Sequence, residues 1–242
     1  LLMDAKTGAI PTETSDIIVQ DFVTQSAVAQ MGKVETMTKP IKKFTYLANG
    51  PGAYWVDETE RIQTDKPEWV TATMEAKKLG VIIPVSKEFL KYTVSNFFNE
   101  MRAPIAEAFY TKFDQAAIFG KDTPFGTGNS VIEKALAAGN TVAHADKLYE
   151  ELNQVIGLVE EGDHEPNGLL TTRRFNKDLR GAVDTRNLPI FNDARDGATA
   201  QALGLPVGYA SSKSWDYEQA HLIGGDWDML RFGVLQGIEF AI

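Results

Sequence analysis

"FTYLANGPGAYWVDETERIQTDKPEW", residues 44–69, carries two characters at once. Two Trp, two Tyr and a Phe suit a core or a binding surface, while Asn49-Gly50-Pro51-Gly52 and six charged side chains from Asp57 to Lys66 suit an exposed loop. Residues 43–48 and 53–56 read as strands around that Gly-Pro turn. From Glu68 to Val85 the chain alternates, with Trp69, Thr71, Thr73 and Glu75 to one side and Val70, Ala72, Met74 and Ala76 to the other. Period two predicts a long strand. Paired back on 43–56, it makes an extended two-stranded hairpin with a charged tip at 57–67. A lone hairpin of that length is marginal in water, so something else must cover its aromatic face.

Outward from the hairpin, the order is mixed. Residues 1–15 are small and polar and read as an arm. Ile17, Ile18, Phe22, Val23, Ala27 and Val28 recur at three- and four-residue spacing, predicting a short helix, or a helix and a strand, over 16–31. Ser86 suits the N-cap of a helical turn at 87–92. Phe97, Phe98, Met101, Ile105, Phe109, Phe113 and Ala116 mark the clearest helix, stopped by Gly120. Pro104 inside it predicts a kink or a split near Arg102. Residues 124–130, PFGTGNS, form a Gly-rich loop. A second amphipathic helix spans 145–161 on Leu148, Leu152, Val155, Ile156 and Val159, closed by Gly162. A short buried strand follows at 168–171. Thr172 then caps a helix to about Ala182, with Phe175, Leu179, Ala182 and Val183 inward. Short strands are expected at 204–207 and 220–224, and weaker β-character over 230–242. No regular βαβ alternation exists, so the class is α+β.

Composition narrows the function. The 242 residues, 43% hydrophobic and 24% charged, suit one large globular domain or two small ones. No apolar run approaches the roughly 18–20 residues that cross a bilayer. Leu1-Leu2-Met3-Asp4 lacks the features of a secretory signal. Absence of cysteine excludes disulfides and thiolate chemistry. With 24 Lys+Arg against 33 Asp+Glu, the net charge of −9 disfavours a dedicated DNA reader. The densest basic stretch, Arg173, Arg174, Lys177 and Arg180, is equally the wet face of a helix.

Candidate chemistry is sparse. Gly126-Thr127-Gly128 lacks the Lys-Ser/Thr of a P-loop and follows a helix. Asp163-His164-Glu165 could offer metal ligands, but neighbours in sequence splay apart and no second cluster accompanies them. Asp193, Arg195 and Asp196 before Gly197 lack the bidentate Glu of a calcium loop. Asp226 and Asp228 around Trp227 read as a turn, and Glu58/Glu60 as a solvated charge run. No catalytic constellation, cofactor site or metal site is expected.

Four stretches together resemble the major capsid proteins of tailed bacteriophages, the Hong Kong 97-like fold. AYWVDETERIQTDKPEWVTATMEAKKLGVIIPVSKEFLKYT (53–93) looks like the family's extended loop and return strand. MRAPIAEAFYTKFDQAAIFGKDTPFG (101–126) looks like its spine helix, and PNGLLTTRRFNKDLRGAVDTRNLPIF (166–191) like its strand–Thr–helix stretch. LGLPVGYASSK (203–213) with HLIGGDWDMLRFGVLQGIEF (221–240) matches its Leu-x-Gly-x-Pro-Val and Gly-Asp-Trp pattern. Their order and spacing cover about 190 residues. Two departures are that the chain stops at Ile242, where more of the peripheral domain is expected, and that no long helical scaffold segment precedes the arm.

The resemblance implies an N-terminal arm at 1–30, an extended hairpin loop at 40–80, a spine helix and peripheral domain from 81–140 and 225–242, and an axial domain at 141–224. It implies a structural protein, not an enzyme, that self-assembles into pentamers and hexamers of an icosahedral shell enclosing DNA. Tyr54, Trp55 and Trp69 then become intersubunit anchors, with Glu58 and Lys66 in a polar rim. Lys66 is the nearest donor for the Lys–Asn crosslink some members form, although a tip lysine is ordinarily only solvated. Implied partners are other copies of the chain, a scaffold, a maturation protease, a portal and packaged DNA held non-specifically, with no membrane. The location implied is the virion capsid, assembled in the bacterial host cytoplasm. Two alternatives stay open: an encapsulin-type nanocompartment shell, and an enzyme with a carboxylate-based site near Asp163 and Glu165.

Overall fold

Ser26 ends one helical stretch and starts another. Residues 21–25 are helical, and the Ser26 N–H still donates to the Phe22 carbonyl at 2.9 Å. Ser26 itself is extended (φ −68°, ψ 129°), and its Oγ accepts from the Ala29 N–H, capping α1 (Ala27–Met31). The helix expected over 16–31 is thus present within the described residues as two pieces. The computed structural model describes residues 21–50, 66–84, 87–145, 147–184, 186–191 and 201–235. It divides into two units, one holding Lys77–Phe232 with the chain up to Val34, the other Glu35–Ala76 with Gly233–Gln236. The division falls inside β1 (Lys33–Thr36) and β8 (Arg231–Val234), which pair with each other.

In the larger unit, α2 (Lys87–Phe119) is one helix of 33 residues. The expected split at Pro104 does not occur, and the turn expected at 87–92 is the start of this same helix. Proline removes one backbone donor, but buried Ile105 and Ala106 beside it, packed with Ile83, Met101 and Phe109, keep the segment helical across it. Gly120 ends it in the left-handed region at φ +69°. After the Gly-rich loop, α3 (Val131–Ala138) begins at a capping box, in which Ser130 Oγ accepts from the Glu133 N–H and the Glu133 carboxylate accepts from Ser130. No helix was expected there.

The sheet of this unit has the order β5 (Gln201–Ala202), β6 (Leu205–Ala210), β4 (Gly168–Thr172), β7 (Ile223–Gly225). β4 runs parallel to β6 and antiparallel to β7. It is buried at every position, the two threonines included, which explains why Gly-Leu-Leu-Thr-Thr shows no alternation. α4 (Leu148–Glu161) packs its Leu152 with Leu169, Phe175, Leu179, Phe191, Ala202 and Val207. After β4 comes a 3-10 turn, Arg173–Phe175, then α5 (Asn176–Gly181). The Thr172 side chain does not cap it: its Oγ1 is buried without a partner. Phe175 and Leu179 point inward as expected, but Val183 is exposed. It lies past the helix end, where helical spacing no longer governs which way a side chain points.

In the smaller unit, β2 (Ile41–Asn49) pairs antiparallel with β3 (Glu68–Glu75). The strand expected to reach Val85 ends ten residues earlier. Residues 76–84 are in no strand, because a strand needs a partner backbone and alternation alone does not supply one.

Candidate intersubunit surface

The register of β2 on β3 sorts the hairpin's side chains into two faces. Leu47 opposes Trp69, Thr45 opposes Thr71, Lys43 opposes Thr73 and Ile41 opposes Glu75. All eight are exposed, and Trp69 keeps 61% of its surface in solvent. The other face sets Tyr46 against Val70, Phe44 against Ala72 and Lys42 against Met74. It is exposed at its distal end, where Tyr46 is 52% accessible, and half-buried toward the base. The sides assigned from alternation are therefore the sides observed.

The base of the hairpin is anchored by sulfur. A side chain at Gly233 would collide with both Met37 and Met74, so two flexible thioethers fill the space a glycine leaves. Met37 is almost wholly buried. Lys42 pairs with Glu35 at 2.7 Å and also reaches the Thr36 carbonyl. The ladder is thus held at one end, while its far end presents Tyr46, Leu47, Trp69 and Val70 uncovered on two faces. Uncovered aromatics on a two-stranded ladder are costly unless they are contact groups.

Of the other expected contact residues, Lys66 is exposed and sits just before β3. Tyr54, Trp55 and Glu58 lie outside the described residues, as do Asp193, Arg195 and Asp196. In the larger unit, Leu79, Val81 and Ile82 are also exposed, Ile82 at 94%.

Among the described residues, the candidate chemical groups do not assemble into a site. Asp163, at φ +61°, His164 and Glu165 lie in the exposed turn that closes α4. His164 Nδ1 stands 3.9 Å from Asp226. Asp226 accepts from the Asp228 N–H and from Asn167, which fixes the entry to the 3-10 turn Trp227–Met229. His144 and His221 stack with centroids 5.0 Å apart, and His144 faces Glu151 at 2.9 Å. Among the described residues, no group of three or more His, Cys, Asp or Glu could hold a metal ion. No described helix is long and apolar enough to cross a membrane.

One buried polar group went unread in the sequence. Asp114 has no exposed surface. Its carboxylate accepts from Ser26 Oγ at 2.6 Å, from the Ala27 N–H at 3.0 Å and from the Val28 N–H at 3.3 Å. Burial pushes its pKa above the usual carboxylate value, against the pull of these three donors. The available signal was its place one turn before Ile118, on the buried stripe of α2.

Comparison with known proteins places this geometry. The model of the phage capsid family matches residues 7–241. The major capsid protein of Staphylococcus phage 80alpha is 39% identical over 243 residues, covering all of this chain and 72% of that protein. The probable major capsid protein gp17 of Mycobacterium phage D29 is 26% identical over 238 residues, covering 96% of this chain and 74% of its own length. A solved structure from Microbacterium phage Oxtober96 superimposes with a TM-score of 0.78 at 27% identity, over 88% of this chain and 73% of that one.

Proposed function

The chain belongs to the phage capsid family as a major capsid protein, a structural component of an oligomeric virion shell, and we propose that its β2–β3 hairpin is the surface that grips a neighbouring copy. The observation that carries this is the exposure of Trp69 and Tyr46 on opposite faces of a ladder held at its base. A copy laid along the hairpin would bury both faces. Tyr54, Trp55 and Glu58 would extend that contact toward the tip, with Lys66 in its polar rim.

The Hong Kong 97-like division follows on the same footing. Residues 1–30 form the arm and 40–80 the extended loop. α2 is the spine of a peripheral domain built from 81–140 and 225–242, and 141–224 form the axial domain. Two features support this. The unit Glu35–Ala76 separates close to the bounds of the loop, and the cluster from Leu152 to Val207 gives 141–224 a core of its own. Axial domains meeting around five- and sixfold axes would build the pentamers and hexamers. A scaffold, a maturation protease and a portal are the further partners of such assembly in the host cytoplasm. With a net charge of −9, contact with packaged DNA would be non-specific.

Sedimentation velocity and negative-stain electron microscopy of the chain and of Trp69→Ala test the hairpin's role. Rings or shells from the parent chain and small species from a folded variant are the expected result. Equal assembly by both would remove the hairpin from the interface.

A further inference from the structure

We propose that Ser26–Met31 is a clip coupling the long helix α2 to the β4–β6 strand pair, so that order at either end is transmitted to the other. The clip has two attachments of different chemistry. At its start, Asp114 of α2 receives the Ser26 hydroxyl and the N–H groups of Ala27 and Val28. At its end, Met31 fills a notch that exists because Gly168 of β4 and Gly208 of β6 carry no side chain. A methyl group on Gly168 would lie 2.5 Å from Met31 Cε, and one on Gly208 would lie 2.9 Å from its Sδ. Trp227 closes the same notch, since its Cδ1 would stand 3.3 Å from the methyl on Gly168 and its indole N–H donates to the Gly168 carbonyl at 2.9 Å.

Coupling follows from the length of the segment between the attachments. α1 has five residues, well short of the roughly 12–15 that make an isolated helix even marginal. It is ordered because both ends are held. Releasing the Asp114 end leaves a segment that cannot keep its helical form, and Met31 then loses the geometry that seats it. Displacing Met31 likewise removes the support that presents Ala27 and Val28 to Asp114. The exit is tight as well: the Gly32 N–H returns to Val28 at 2.8 Å, the Lys33 N–H reaches the Leu230 carbonyl at 2.8 Å, and a side chain at Gly32 would meet that carbonyl at 2.9 Å. On the other side of Ser26, Asp21 pairs with Arg102 of α2 at 2.9 Å. Movement of the chain before Ser26 would therefore be felt in the central sheet by way of residues 26–31.

Hydrogen exchange on the full, unassembled chain tests this without depending on the shell function. Coupling between two sites is reciprocal. Gly208→Ala acts on the sheet end and should speed exchange of the Ala27 and Val28 amides by about tenfold or more. Asp114→Asn acts on the helix end and should do the same to amides of 168–172 and 207–210. Met31→Ala, which empties the notch without overfilling it, should reproduce the Gly208→Ala pattern and serves in its place if that variant does not fold. Changes confined to the mutated end in every variant would overturn the proposal. Failure of the chain to form shells would not bear on it, because the exchange pattern is read before assembly.

Discussion

Asp114 and Ser26 stand 88 residues apart in the chain and are joined by a 2.6 Å hydrogen bond in which neither residue is exposed to solvent. The serine hydroxyl donates to the carboxylate and accepts from the Ala29 N–H, so one oxygen ties α1 to α2 and caps α1. Removing the acceptor leaves the Ser26 hydroxyl and two backbone donors buried. Asp114→Ala should cost about 3 kcal/mol, read as a lower urea midpoint. An unchanged midpoint would mean these donors find other partners.

The same carboxylate gives a pH dependence of definite sign. Burial raises its pKa in the folded chain. Between the ordinary value and the raised one, the folded chain holds a proton that the unfolded chain has released. This contribution is full below the ordinary carboxylate value and is lost as pH rises through the raised one. From about pH 4 upward, the parent chain should lose stability relative to Asp114→Asn. A parent curve parallel to that of the Asn variant would refute this.

Two tryptophans should behave oppositely. Trp69 is 61% exposed and Trp227 only 4%. Trp69→Ala should change the stability of the unassembled chain by less than about 0.5 kcal/mol and act on assembly. Trp227→Ala removes a buried ring and its bond to Gly168, and should cost about 3–5 kcal/mol. Thermal melts of both variants below the assembly concentration give the comparison. Loss of folding in Trp69→Ala would make it a core residue.

The capping box of α3 is separately testable. Ser130→Ala should cost about 1 kcal/mol. The Ser130 hydroxyl and the backbone donors of Ser130, Gly128 and Asn129 hold the Glu133 pKa below its ordinary value. Its contribution is therefore present above that value and is lost as pH falls through the depressed one. Carboxyl titration by NMR should show Glu133 protonating below the ordinary glutamate value. A titration at the ordinary value would show that the box is open in solution.

Gly120 closes α2 at φ +69°, and a methyl group there would stand 2.8 Å from Glu133 Oε2. Gly120→Ala combines backbone strain with displacement of the capping carboxylate and should cost about 1–2 kcal/mol. A neutral effect would mean that the turn readjusts freely.

Local signals were legible where their physics is local. Alternation around Trp69 assigned both hairpin faces correctly, since period two follows from the pleat of one strand. Gly120 and Gly162 stood where helices end. The Ser130 and Glu133 spacing carried α3, although the helix was not anticipated. Legibility stopped where a partner was needed. The strand expected to run on to Val85 stops at Glu75, and residues 76–84 are in no strand. Pro104 argues for a break, yet packing around Ile105 and Ala106 carries the helix through. Tyr54, Trp55 and Glu58 lie outside the described residues, so only Trp69 and Lys66 of the expected contacts can be placed.

By itself, the sequence determined the α+β class, the hairpin's two faces, the principal helix and, through the resemblance of four stretches, the capsid family. These depend on neighbours a few residues apart and on the order of segments along the chain. Tertiary structure alone decided which tryptophan is core and which is surface, where β3 stops, and that Asp114 holds the start of α1. Burial and hydrogen bonding are settled by groups that meet in space, and a contact spanning 88 residues leaves no periodic trace in the chain.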